Sequence, residues 1–396
     1  MVRFRNALTV IAVAVTLATG CGTDPAPETT LNVAELDSGN YPSVPRDLAE
    51  LRASQYGPLR EAARIGAVTS LIIESDDRFP FQRLSNPERR SVPGGDAIRG
   101  QYSLSDEEFA ELAQGFSTGW QTSAERRSPV WLGRQVSLQI LRYSDASAAS
   151  AAGDRLAERQ ARNLPGESLR LADFAQAHVK WSPSQKYLDV WLAHDSLLLA
   201  LHIDDPVSEP AEAAPLLEIS HRILVDEIEA LKSYAPTPIA EFDSIPVDVD
   251  GLLSRTLPLE DSQKRMTYDQ SVLLSARAAL HYEIHPASSK AAFENSGVDL
   301  VSFSGGRVYR ARDAAGAARL MAALIAQNSV GWKPMDRPPN MPMVECFGTE
   351  DKTMNVSWYP PVCFVPIGRF VARVTGKNPQ ELYQKAAAQY KLLVSE

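Results

Sequence analysis

ILRYSDASAASAAGDRL, residues 140–156, reads as a strand that runs into an alanine-rich helix at Asp145. Aspartate suits that joint because its carboxylate accepts from the exposed N–H groups of a first helical turn. VYRARDAAGAARLMAAL at 308–324 repeats the pattern, with Asp313 in the place of Asp145. A second pair lies downstream: VWLAHDSLLLALHIDDP at 190–206 matches CFVPIGRFVARVTGKNP at 363–379 in length. Each reads as a hairpin that ends at a proline before a closing helix.

The two pairs predict two copies of a strand–helix–strands–helix unit. The fold class is α+β, with two similar domains, each an antiparallel sheet covered by helices. The alternative is two unrelated α+β domains with a chance likeness. The domains expected are 47–240 and 241–396, with the boundary in the proline-bearing stretch YAPTPIAEFDSIP at 234–246. Within the first, strands are predicted at 130–143, 177–181, 187–193 and 197–203, and helices at 145–162 and 214–231. Residues 68–74 (VTSLIIE) read as a buried strand, and 76–102 as a long surface loop. Ser105 and Glu108 form a capping box. In the second domain, strands are predicted at 305–312, 344–347, 363–365 and 369–375. A last helix opens on Asn378 and Pro379.

The start of the chain reads as an export signal. Arg3 and Arg5 precede an apolar run from Ala7 to Ala18, followed by Thr19-Gly20-Cys21. That run spans about 18 Å as a helix, short of a bilayer core of roughly 30 Å. A cleaved signal over 1–20 is therefore expected. A cysteine directly after small residues is what lipoprotein processing requires, so Cys21 is the expected lipid attachment point. Residues 21–46 (polar, with scattered prolines) then read as a flexible tether. The expected place is the outer face of the cytoplasmic membrane, with the membrane itself a partner through the anchor.

The chain carries three cysteines. With Cys21 lipidated, Cys346 and Cys363 are left, and an exported chain favours their pairing. In the repeat register they fall on adjacent strands, with Cys363 matching Val190. Closing that loop contributes about 3 kcal/mol on the chain-entropy account. Metal ligation is the competing reading, at a poor spacing for zinc. The formal charge of −9, with no long basic run, argues against nucleic acid as a partner.

The lipobox, Gly297-Val298-Asp299-Leu300 and the run from Val308 to Ala314 resemble actinobacterial envelope lipoproteins (mycobacterial, nocardial and rhodococcal) built from a paired domain of unknown function. The resemblance spans nearly the whole mature chain. It implies location and architecture, and it brings no known active site.

Catalytic motifs are thin. There is no SxxK, HExxH, CxxC, GxGxxG or Walker A pattern. Gly115-Phe116-Ser117-Thr118-Gly119 fits the GxSxG of a hydrolase elbow, which makes Ser117 the one candidate nucleophile; a helix stopped by glycines is the other reading. His281, Glu283 and His285 would share a face of a strand and form a candidate zinc set; a solvated edge face is the other reading. Arg307, Arg310 and Arg312 form a small basic cluster, and 332–343 (WKPMDRPPNMPM) a Trp/Met/Pro loop. No cofactor is expected. The leading expectation is a non-enzymatic envelope protein that binds a small ligand or another envelope protein. The alternatives are an envelope hydrolase or metal-dependent enzyme, and a scaffold for envelope assembly.

Overall fold

The computed structural model describes residues 31–53, 56–82, 92, 95, 98, 101–127, 132–260, 271–328, 332–349 and 360–395. The signal segment and Cys21 lie outside them. Residues 32–396 form one compact unit.

Two short helices open the body, α1 (Gly57–Gly66) and α2 (Ile72–Ser75). The first copy follows: α3 (Asp106–Leu112), β1 (Phe116–Glu125), β2 (Gln135–Tyr143) and α4 (Ala146–Asn163). It continues through β3 (Glu167–Leu169), β4 (His178–Ser182), β5 (Tyr187–His194) and β6 (Leu197–Asp204), and closes with α5 (Ala214–Leu231). An additional strand and helix, β7 (Val272–Ser275) and α6 (Ala276–Leu280), lead into the second copy. That copy comprises α7 (Pro286–Ser296), β8 (Leu300–Phe303), β9 (Arg307–Arg310), α8 (Ala314–Asn328) and β10 (Lys333–Met335). It ends with β11 (Glu345–Gly348), β12 (Val362–Ile367), β13 (Phe370–Thr375) and α9 (Pro379–Val394).

The sheets are β3-β4-β5-β6-β2-β1 and β10-β11-β12-β13-β9-β8-β7, so their strand orders coincide apart from the added β7. Register confirms the duplication. Ile140 lies opposite Leu199, and their counterparts Val308 and Ala372 lie opposite each other. Val179 pairs with Val190 as Cys346 pairs with Cys363. Asp145 accepts from the Ala148 N–H at 2.9 Å and Asp313 from the Gly316 N–H at 2.7 Å, so both predicted caps form. The repeat is longer than the sequence pattern showed. In each copy a helix, a left-handed glycine (Gly115 at φ 85°, Gly297 at φ 65°) and a strand precede the recognised unit.

Side chains alternate across each strand, and here both faces are covered. In the first sheet Leu141, Tyr143, Trp191 and Leu198 pack under α4. Leu138, Ile140, Val190 and Leu199 face the opposite way, into a core that includes Ile219, Ile223 and Leu224 of α5. That core runs on without a break into Val272, Tyr282, Val301, Tyr309 and Phe364 of the second copy. Trp120 sits at the seam. A Cβ on Gly66 would lie 2.3 Å from its ring, and His281 and Tyr282 meet it edge-on at 5.6 and 6.0 Å. Such a contact needs glycine.

Several expected elements differ. Residues 68–74 are not a strand: Ile72–Ser75 is a helical turn, because the Glu74 carboxylate reaches back to the Leu71 N–H at 3.0 Å. The described part of the expected tether, 32–46, is docked on the second copy. Leu36 is buried, Gln384 donates to Asp37 at 3.1 Å, Lys391 to Ser38 at 3.2 Å, and the Arg46 N–H to the Ser254 carbonyl at 3.1 Å. The segment 76–102 is not a surface loop where it is described, since Phe79, Val92, Ile98 and Tyr102 are buried. The boundary stretch is also pinned. Glu61, fully buried, accepts from Arg142 Nη1 at 2.6 Å, from the Thr237 N–H at 3.1 Å and from the Thr237 hydroxyl at 2.8 Å.

Candidate functional site

Only part of the α4 side of the first sheet is apolar. Beyond the rows that α4 covers, the residues that alternation brings to this face are polar. One cross-strand row reads Ser123, Ser137, His202, Asp189, Lys180. The row beside it carries Glu125, Gln135, Asp204, Tyr187 and Ser182, and on the other side Gln121 and Gln139 adjoin Ala200 and Trp191. These residues form a floor across five strands. Asp189 is 0% exposed, and Gln135 and Gln139 are each 1%. Burial of so many polar groups is costly unless each finds a partner.

Asp189 is the hub. It accepts from the Tyr102 hydroxyl at 2.7 Å and from the Gln160 amide of α4. His202 Nδ1 meets it at 2.6 Å, and His202 Nε2 lies 3.2 Å from Asp204. Burial alone would lower the His202 pKa; the carboxylates, Asp189 foremost, outweigh it and raise it to about 10. The ring is therefore a cation near neutrality and donates from both nitrogens. Burial, followed by the Asp189 charge, pushes the Tyr102 hydroxyl well up, so it stays a neutral donor. Trp191 Nε1 donates to Gln160 Oε1 at 2.9 Å, and Lys180 Nζ to the Gln160 carbonyl at 2.8 Å. Above the floor, Gln139 Nε2 donates to Gln101 Oε1 at 2.9 Å.

Three neutral groups stay open. Neither polar atom of the Gln135 amide has a hydrogen-bond partner, and neither do Gln139 Oε1 and the Tyr187 hydroxyl, although all are buried. Among the described residues the second copy has no such floor. At the register positions of Lys180, Asp189 and His202 it carries Phe347, Val362 and Thr375.

The residues singled out from sequence lie elsewhere. Ser117 is at an irregularity where β1 begins, and its hydroxyl donates to the Arg142 carbonyl at 3.1 Å. The order there is helix, turn, strand, the reverse of a nucleophile elbow. His281, Glu283 and His285 do not share a strand face, because Ser275 caps α6 and Leu280 passes into a turn. His281 Nδ1 meets the Thr122 hydroxyl at 2.9 Å, Glu283 accepts from the Tyr309 hydroxyl at 3.0 Å, and His285 precedes α7. No group of three His, Cys, Asp or Glu that could hold a metal occurs among the described residues. Arg307 stacks 4.5 Å over Phe303, and Arg310 is bound to Asp299 and Asp250 at 2.6 and 2.7 Å, so this cluster is structural. Cys346 and Cys363 form the disulfide, with Cα atoms 4.1 Å apart. At the joint of the copies, a shallow groove is lined by Leu51, Tyr56, Arg60, Val247, Ser271 and Val272. Arg60 there is a strut that donates to the Leu51 and Phe242 carbonyls at 2.7 and 3.2 Å.

In the sequence His202 stands singly, with no motif around it, and the floor has no contiguous signature. A signal was present: Gln135, Ser137 and Gln139 alternate with Val136, Leu138 and Ile140 on an interior strand.

Fold and floor together define a duplicated α+β protein with two helix-covered antiparallel sheets, one of which buries a polar face. The chain belongs to the DUF7373 family, a domain of unknown function: its N-terminal model matches residues 48–247 and its C-terminal model residues 252–396. Neither the curated proteins nor the solved structures contain a match.

Proposed function

We propose that this is a lipid-anchored protein of the cell envelope, held at the outer face of the cytoplasmic membrane through Cys21, which binds a small ligand on the polar floor without transforming it. The observation that carries the binding role is the buried Gln135 amide, with both polar atoms unpartnered. A bound molecule supplies what that amide lacks. The non-enzymatic role is supported by His202. An imidazole held as a cation up to about pH 10 is no general base near neutrality, and its partners Asp189 and Asp204 are committed to it.

The anchor is supported by the cysteine after small residues and by the resemblance to actinobacterial envelope lipoproteins. A thioether diacylglycerol and a palmitate-type N-acyl chain would meet the two-chain requirement for stable anchoring. No described helix is long and apolar enough to cross a membrane.

Native mass spectrometry of the full chain in detergent tests both parts. The expected spectrum shows a diacylglyceryl mass that is lost in Cys21→Ala, and a retained small molecule that is lost in Gln135→Leu. An unlipidated mature chain would overturn the anchor, and a chain that never retains or takes up a small molecule would overturn the binding role.

A further inference from the structure

We infer that the floor of the first sheet takes a neutral polyhydroxylated ligand, a sugar or polyol, and that Gln135 and Gln139 read its hydroxyl groups. This rests on the binding role proposed above and names the class of ligand.

Three observations lead there. The cations on the floor are already engaged: His202 lies between Asp189 and Asp204, and Lys180 donates to two backbone carbonyls at the end of α4. No unmatched cation is presented by these groups for a phosphate or carboxylate. The open groups of the two glutamines are neutral. Gln135 offers one N–H₂ and one carbonyl, and Gln139 one carbonyl oxygen. A hydroxyl both donates and accepts, so vicinal hydroxyls satisfy an amide of this kind in both directions. Finally, an aromatic side chain adjoins the amides: Tyr187 is opposite Asp204, in the row of Gln135. Amides for hydroxyls, with a tyrosine ring for a C–H face, suit a sugar better than a wholly apolar or a charged molecule. The floor reaches solvent along the edge marked by His202 and Asp204, whose side chains are 16% and 24% exposed.

Titration calorimetry on the full chain in detergent tests this with glucose, mannose and myo-inositol as neutral probes, and glucose 6-phosphate and citrate as anionic ones. At least one neutral probe is expected to bind and the anionic ones not. Gln135→Leu is expected to weaken that binding by about tenfold or more, with Gln139→Leu acting in the same direction. Thermal melting of the same variants separates recognition from folding: an unchanged or raised Tm beside lost binding supports the assignment. Tighter binding of an anionic probe would overturn the ligand class and leave the binding role standing. Binding that both variants leave intact would overturn the floor as its site. If no probe bound and Gln135→Leu merely raised the Tm, the floor would be structural and both readings would fall.

Discussion

At one and the same register, the two copies solve a buried sheet in opposite ways. The first places Lys180, Asp189 and His202 in a row, and the second places Phe347, Val362 and Thr375. One row over, the first has Val179 against Val190 where the second has its disulfide. Strand order, caps and turns are shared, so the backbone does not require the polar row. A copy that could be apolar but is not has kept its charges for a reason other than folding. The copy without the charged row is also the one with a covalent bridge.

The comparison is open to breakage from both sides. The largest effect is expected at Asp189. Asp189→Ala leaves the His202 cation buried beside the floor and should cost about 3–5 kcal/mol in denaturant unfolding. Replacing the row by the residues of the other copy, Lys180→Phe, Asp189→Val and His202→Thr together, removes every charge at once and should recover most of that loss. A triple variant as unstable as the single one would mean that the row is needed for folding.

Reduction comes next. The Cys346–Cys363 bridge closes a loop of sequence separation 17, and its loss should cost about 3 kcal/mol, read as a lower Tm in reductant. Val179→Cys with Val190→Cys should transplant the bridge into the first copy, leaving no free thiol at either position in native protein. Two titratable thiols there would show that the copies differ in geometry as well as in side chains.

The pH dependence is smaller, and it separates two buried groups of the first copy by window, with the same sign. Because folding raises the His202 pKa from 6.5 to about 10, its contribution is complete below about 6.5 and is lost as the pH rises through 10. Burial raises Glu227 from 4.5 to about 8, so its contribution declines between those values. The triple variant should lose the upper decline in a urea titration against pH and keep the lower one. An unchanged upper slope would remove His202 from its cause.

The smallest effect should be equal in the two copies. Asp145→Ala and Asp313→Ala each remove one cap and should cost about 1 kcal/mol by chemical denaturation. Costs that differ severalfold would show that equivalent joints are not equivalent in energy.

The duplication was legible because its signals are local: a capping aspartate, an alanine-rich run and a hairpin of fixed length. β1 was not, since FSTGWQTSAE carries few apolar residues, and its Thr118, Thr122 and Ser123 are buried against partners far along the chain. Thr118 donates to the Pro58 carbonyl at 2.6 Å, a contact no window of sequence contains. The segment at His281 misled for a related reason: three polar residues at alternate positions imitate a strand face until the Ser275 cap is seen to start a helix. Residues 32–46 read as a tether because their composition is polar. Their attachment depends on Gln384, Lys391 and Ser254, which composition does not weigh. The disulfide was legible by count and register, whereas the floor needed the pairing of five strands.

The seam at Trp120 also sets a timetable for the newborn chain. Synthesis delivers the first copy long before the second, and domains ordinarily fold as they emerge. Here Thr122 meets His281 across a separation of 159 residues, and Trp120 rests against the same turn. The first sheet therefore waits, with the edge of Trp120 that meets His281 and Tyr282 uncovered, until the start of its sister arrives. A nascent chain halted before residue 281 should leave that edge of Trp120 exposed and bind chaperones, and one released a few dozen residues later should not.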